Sequence, residues 1–151
     1  MKTTSALLGL LALASGGLIA VQAAANAALS RSVQGNVPFV ATTLFLVGLA
    51  GAVAILATSG QGLPSAEQLT EAPWWSYTGG LIVAFYVFII TFLAPRIGVG
   101  NAIALVVTGQ IVGALLIDHF GLMRSLVFEM SWTRAAGALL MIVGVFLALR
   151  R

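Results

Sequence analysis

A chain of 151 residues that is 60% hydrophobic and 7% charged cannot cover a water-facing surface, since a soluble domain carries about 25% charged residues. Its formal net charge of +3 rests on seven basic residues scattered along the chain, which build no nucleic-acid patch. With no cysteine and a single histidine, His119, disulfides, thiolate chemistry and a multi-histidine metal centre within one chain are excluded.

At the N-terminus, Lys2, the apolar run from Ala6 and the small stretch Ala23-Ala24-Ala25 imitate a secretory signal peptide. The run continues to Leu29, about the length that crosses a bilayer, and therefore reads as a first membrane helix. Four similar segments follow, so the predicted spans are 6–29, 38–58, 74–94, 97–117 and 132–149. All are continuously apolar and rich in Leu and Ala, without the alternation a membrane barrel requires. The expected fold is an all-α membrane protein, one bundle of five transmembrane helices in a single domain.

The links are short. In 30–37, Arg31 and Asn36 precede Pro38, which suits a first helical turn. The link 59–73 is rich in Gly, Pro and Ser, and Ser65 and Gln68 have the spacing of a capping box on a short surface helix. Pro95-Arg96 is expected to break the chain between spans three and four. The link 118–131 is unusually apolar, with Phe120, Leu122, Met123, Leu126, Val127 and Phe128, and reads as a segment lying in the membrane interface.

Five crossings put the termini on opposite sides. The N-terminal side receives Lys2, Arg124 and Arg134; the other side receives Arg31, Arg96, Arg150 and Arg151. The positive-inside rule compares these counts, and three against four is nearly a tie. Two readings stand: one orientation with a cytoplasmic C-terminus, or dual topology in which copies insert both ways. Trp74, Trp75, Tyr77 and Trp132 all fall on the N-terminal side. Aromatic belts normally line both interfaces, and an antiparallel partner would supply the missing one.

Polar groups in hydrocarbon must face a partner or a cavity. Gln22 and Asn26 are spaced i, i+4 on one face of span one. Gln110 lies inside span four, with Thr108 nearby, and Asn101 lies near its start. These amides are candidates for substrate contact and equally for interhelical hydrogen bonding. No Asp, Glu, Lys or Arg occupies the middle of a span, so the carboxylate of a typical proton–cation exchanger is missing. Asp118 and His119, at the end of span four, form a possible proton-linked pair. The preferred reading is a solvated acid at a helix end followed by the Gly121 turn. Gly109 and Gly113 make a small-xxx-small pair that permits close helix approach. No phosphate loop, catalytic triad or cofactor motif is present, so neither an enzyme nor a cofactor is expected.

Depth suggests how the amides meet. Counted from the expected span centres, Gln22 lies roughly 7 Å to one side of the midplane and Gln110 roughly 5 Å to the other. An antiparallel partner would bring its Gln110 level with Gln22.

Gln22-x-x-x-Asn26, Pro73-Trp74-Trp75 leading into Gly79-Gly80, Gln110, and Ile117-Asp118-His119-Phe120-Gly121 occur in that order. Together they resemble the YdcZ-like family of the drug/metabolite transporter superfamily, over the whole chain. The resemblance implies a multi-pass inner-membrane transporter or exporter and half of an inverted-repeat fold, completed by an antiparallel homodimer. The small multidrug-resistance branch is similar in size but uses a glutamate in span one, where this chain has Gln22 and Asn26. The expected partners are therefore the lipid bilayer, a small polar or metabolite-like substrate and a second copy, with no nucleic acid. A non-transporting scaffold or regulatory subunit is the competing function.

Overall fold

The structure, a computed structural model, describes the backbone of residues 2–150 and the side chains of residues 6–150. Of the basic residues counted above, the Lys2 side chain and Arg151 lie outside the described residues. Among the described residues there are six α-helices and no strand: α1 (Lys2–Ser32), α2 (Val37–Thr58), α3 (Ala66–Glu71), α4 (Gly79–Ile97), α5 (Val99–Phe120) and α6 (Trp132–Leu149). A 3₁₀ turn, Trp74–Thr78, leads into α4, and another, Leu122–Arg124, follows α5. Five helices are long and apolar enough to cross a membrane; α3 is the short exception. The protein is thus an all-α membrane protein.

The helix ends are set by hydrogen bonding. Asn36 caps α2 by accepting from the Phe39 amide at 3.1 Å, and Pro38 sits in the first turn, where its missing N–H leaves nothing unpaired. Ser65 and Gln68 form a reciprocal capping box on α3. Pro95 does not end its helix. It lies in the last turn of α4, where one lost backbone bond is tolerated, and the chain breaks at Gly98, whose φ of +90° is open to glycine. α1 and α5 also run about three residues beyond the apolar segments that announce them. Helical backbone persists past the last apolar residue as long as its carbonyls are satisfied, and the Ser32 hydroxyl donates to the Ala28 carbonyl at 3.2 Å.

Chain contacts divide the molecule into two units, with the boundary between Arg96 and Ile97. In the first unit α1 packs on α2, and the Asn26 amide on α1 donates to the Thr91 hydroxyl on α4 at 3.3 Å. Buried residues concentrate at one end of these helices: Ala23, Asn26, Ala27 and Ser30 on α1, Val37, Val40 and Ala41 on α2, and Val87, Ile90, Thr91 and Ala94 on α4. Leu7 to Leu18 on α1 and Leu46 to Leu56 on α2 are exposed apolar surface, which suits lipid rather than water.

In the second unit α5 packs on α6. The connection 121–131 is tied between their ends. Gly121 takes a left-handed conformation (φ +59°), and its N–H donates to the Ile117 carbonyl. A Cβ there would stand 2.7 Å from Val127 Cγ2, so both backbone and space require glycine. The Phe128 amide donates to the Asp118 carbonyl at 2.9 Å, and the Ser125 hydroxyl to the Ile117 carbonyl at 3.1 Å. Ser131 caps α6 by accepting from the Arg134 amide.

Candidate functional site

Most polar side chains within the spans are satisfied by their own helix. The hydroxyls of Ser15, Thr43, Thr58 and Thr108 donate to carbonyls one turn earlier. Asn101 does the same, its amide donating to the Ile97 carbonyl at 2.8 Å. These groups are neutralised locally and need no partner in the bilayer.

Three amides remain, those of Gln22, Asn26 and Gln110. Gln22, Asn26 and Ser30 succeed one another at i, i+4 and i+8 on one face of α1. Burial deepens along this ladder: Gln22 is half-buried, while Asn26 and Ser30 are 7% and 3% exposed. Asn26 meets Thr91, which is wholly buried. Thr91 was missed at the sequence level; its only signal there is a lone hydroxyl in the apolar run Phe88-Ile89-Ile90-Thr91-Phe92. The Asn26–Thr91 contact is the interhelical hydrogen bond that amides in membranes characteristically supply. Gln22, one turn away, has no hydrogen-bond partner within its unit among the described residues.

On α5, Asn101 and Gln110 are nine residues apart, and at 100° per residue they occupy opposite faces. The structure does not bring them together. Gln110 is exposed and has no hydrogen-bond partner within its unit among the described residues. Gly113 lies beside it at i+3, and Gly109 one turn below Gly113; an added Cβ at either glycine would meet nothing within 4 Å. The close approach that this small-xxx-small pair permits is therefore not made inside the unit.

Depth changes as well. The spanning part of α1, Ala6–Ser32, is centred at Ile19, so Gln22 lies roughly 4–5 Å beyond it. α5 is centred between Gly109 and Gln110, so Gln110 is at mid-helix and no longer clearly on one side. The depth contrast expected from the apolar runs shrinks because both helices extend at their C-terminal ends.

Asp118 and His119 lie in the last turn of α5 and have separate partners. Asp118 Oδ2 accepts from Arg134 Nη2 at 2.8 Å, an ion pair with each side chain about a third exposed (32% and 36%). Arg134 also donates through Nη1 to the Phe128 carbonyl at 3.0 Å and lies over the Phe128 ring, 5.7 Å from its centroid. His119 Nδ1 accepts from the Met130 amide at 3.1 Å. The two side chains thus clamp the connection to the helix ends. Among the described residues no cluster of three or more His, Asp or Glu could hold a metal ion.

Five helices long and apolar enough to cross a membrane define a multi-pass membrane protein. Residues 7–147 match the family described as "Putative inner membrane exporter, YdcZ". The chain belongs to that family. It is 29% identical over 125 residues to the inner membrane protein YdcZ of Escherichia coli (strain K12), an alignment covering 83% of this chain and 74% of that protein. No solved structure matches at a significant level. The protein is accordingly a multi-pass protein of the inner membrane.

Proposed function

We propose that the chain is a secondary transporter that exports a small polar metabolite, acting as a homodimer, with Gln22 and Gln110 as the principal substrate-facing groups. The observation that carries this reading is the pair of amides near mid-membrane depth that lack a partner within their own units. An unsatisfied primary amide in hydrocarbon costs several kcal/mol. It is retained where a substrate, a water-filled path or a second chain completes it. Inner-membrane location and family membership agree with export. Asn26 serves mainly as the α1–α4 tie, and Asn101 is engaged at the start of α5, so both contribute to the site through position. The mid-span acid that couples cation export to protons is absent, and the expected mechanism is facilitated or otherwise coupled export.

The homodimer rests on the α5 face. Gly109, Gln110 and Gly113 together have the small-residue and amide pattern that joins membrane helices, and nothing within the unit occupies it. The near-tie of boundary charges favours copies in both orientations, an antiparallel pair that would rebuild an inverted repeat. Gln110 at mid-helix is at a similar depth in either arrangement, so orientation is tested by reporter fusions at both termini: activity of both reporter types at one terminus supports dual topology, and a single type excludes it.

The function is tested in membrane vesicles of known orientation, with a panel of small polar metabolites read by mass spectrometry. Chain-dependent movement of at least one compound, lost in Gln22→Ala and Gln110→Ala, supports the proposal. No chain-dependent movement across the panel favours the scaffold reading, for which the lack of a coupling carboxylate is the specific support.

A further inference from the structure

The first unit holds a cleft of about 380 Å³ at its packed end, lined by Ser30, Arg31, Gln34, Gly35, Pro95 and Arg96. Its two cations come from the last turns of α1 and α4, the ends of membrane-spanning helices, which places them at headgroup level. We propose that this cleft is a binding site for the phosphate of an anionic membrane lipid.

Charge is the first argument. The two acids of the first unit, Glu67 and Glu71, lie in the link between α2 and α4, beyond the opposite ends of those helices. The ion pair found among the described residues is Asp118–Arg134, in the other unit. Arg31 and Arg96 therefore line one cleft with no ion pair to a carboxylate among the described residues, and two such guanidinium groups call for an anion.

The state of each arginine is the second. Arg96 is held in place: its guanidinium carbon stands 3.6 Å from the Phe92 ring centroid, and Nη1 donates to the Phe92 carbonyl. Its remaining N–H groups make no hydrogen bond among the described residues. Arg31 makes no hydrogen bond among the described residues, so its planar fork is available for bidentate contact with phosphate oxygens. The carbonyl ends of α1 and α4 oppose an anion here, while the N-terminus of α2, beginning at Val37 just after the turn, favours one. The helix ends together oppose it by about half a charge, which the two full positive charges outweigh.

The surroundings select a lipid over a soluble phosphate. Phe39 and Phe92, 51% and 44% exposed, flank the arginine level on α2 and α4. Below them runs the exposed apolar surface of α1 and α2, along which acyl chains would lie. A basic site between spanning helices at the boundary is the arrangement that holds anionic headgroups.

The test is lipid retention by the whole chain, purified in detergent and read by native mass spectrometry. Phosphatidylglycerol is expected to be retained in preference to phosphatidylcholine, with one tightly held molecule per chain. Arg31→Gln with Arg96→Gln should weaken retention about a hundredfold, the loss of two charge-assisted hydrogen bonds. Arg31→Gln alone should weaken it in part and, having no intrachain partner to lose, leave helix content by circular dichroism unchanged. Arg150→Gln, at an exposed arginine of the second unit, should leave it unaltered. Equal retention of the two lipids, or equal weakening by Arg150→Gln, overturns the site. Displacement of the lipid by millimolar inorganic phosphate identifies a soluble anion as the ligand and overturns the lipid assignment.

Discussion

The two units solve the same problem in opposite ways. The first turns its polar residues inward: Asn26, Ser30 and Thr91 are buried among Ala23, Val40, Val87 and Ile90, and one hydrogen bond ties α1 to α4. The second buries little. α6 has no buried residue at all, Gln110 on α5 is exposed, and the hydrogen bonds between its parts gather at the boundary, around Asp118, His119 and Arg134. In a bilayer the apolar contact between helices competes with lipid of equal polarity, so packing, hydrogen bonds and ordered ends carry the association. The first unit uses packing; the second uses its ends and keeps a helix face uncommitted. A face of that kind is where a transporter can meet a substrate or a second copy.

The largest test of this contrast compares Ile90→Ala with Leu139→Ala. Ile90 is 1% exposed and Leu139 62%. Truncating the buried residue should cost about 2 kcal/mol, the low end for a core aliphatic because lipid offers no transfer penalty of its own. Truncating the exposed one should change little. Thermal unfolding of both variants in the same detergent reads the difference, and equal loss would break the contrast.

Next in size is Gly121→Ala. A left-handed conformation costs a residue with a Cβ roughly 1–2 kcal/mol, and the new methyl would meet Val127 Cγ2. The effect should be confined to the second unit, seen as faster hydrogen exchange in 121–131 and earlier trypsin cleavage after Arg124, with α1 and α2 unchanged. Uniform loosening of the whole chain would mean that the connection matters far beyond its own unit.

Asp118→Asn should be milder. A partly exposed ion pair contributes about 0.2–1 kcal/mol, and the Phe128 carbonyl remains as a partner for Arg134. Transport should be largely spared, since Asp118 lies at a helix end and not at membrane depth. Complete loss of transport in a normally folded variant would make Asp118 a proton carrier after all.

The contrast was only half legible in the sequence. Five apolar runs of spanning length announce five helices because hydrocarbon thickness fixes that length. Their ends were less legible, because backbone hydrogen bonds and not hydropathy decide where a helix stops: Pro95 looks like a break, but Gly98 makes it. The capping box at Ser65 could be read because its spacing is local. The Asp118–Arg134 pair could not, since its members stand sixteen residues apart across a left-handed glycine. The opposite placement of Asn101 and Gln110 was present in their spacing alone. Which amide would be engaged was not, because that depended on Thr91 arriving from a helix 65 residues away.

The smallest expected effect is also the most discriminating. At 3.3 Å the Asn26–Thr91 bond is long, and measured side-chain hydrogen bonds between membrane helices average about 0.6 kcal/mol. Asn26→Leu replaces the amide with a side chain of similar volume, and Thr91→Val removes the hydroxyl while keeping the shape. A double-mutant cycle on thermal stability should give a coupling near that average. If Asn26 is only a tie, Asn26→Leu with Thr91→Val restores a fully apolar contact, folds at least as well as either single variant and transports normally. If Asn26 also touches the substrate, the double variant folds but transports poorly, because apolar repacking repairs the helix contact and cannot replace the amide. Gln22→Leu provides the reference: with no partner in its unit to lose, it should leave stability unchanged or raised while lowering transport. Transport losses of equal size in Asn26→Leu and Gln22→Leu would extend the substrate path along the α1 ladder. A loss in Gln22→Leu alone would end that path one turn before Asn26.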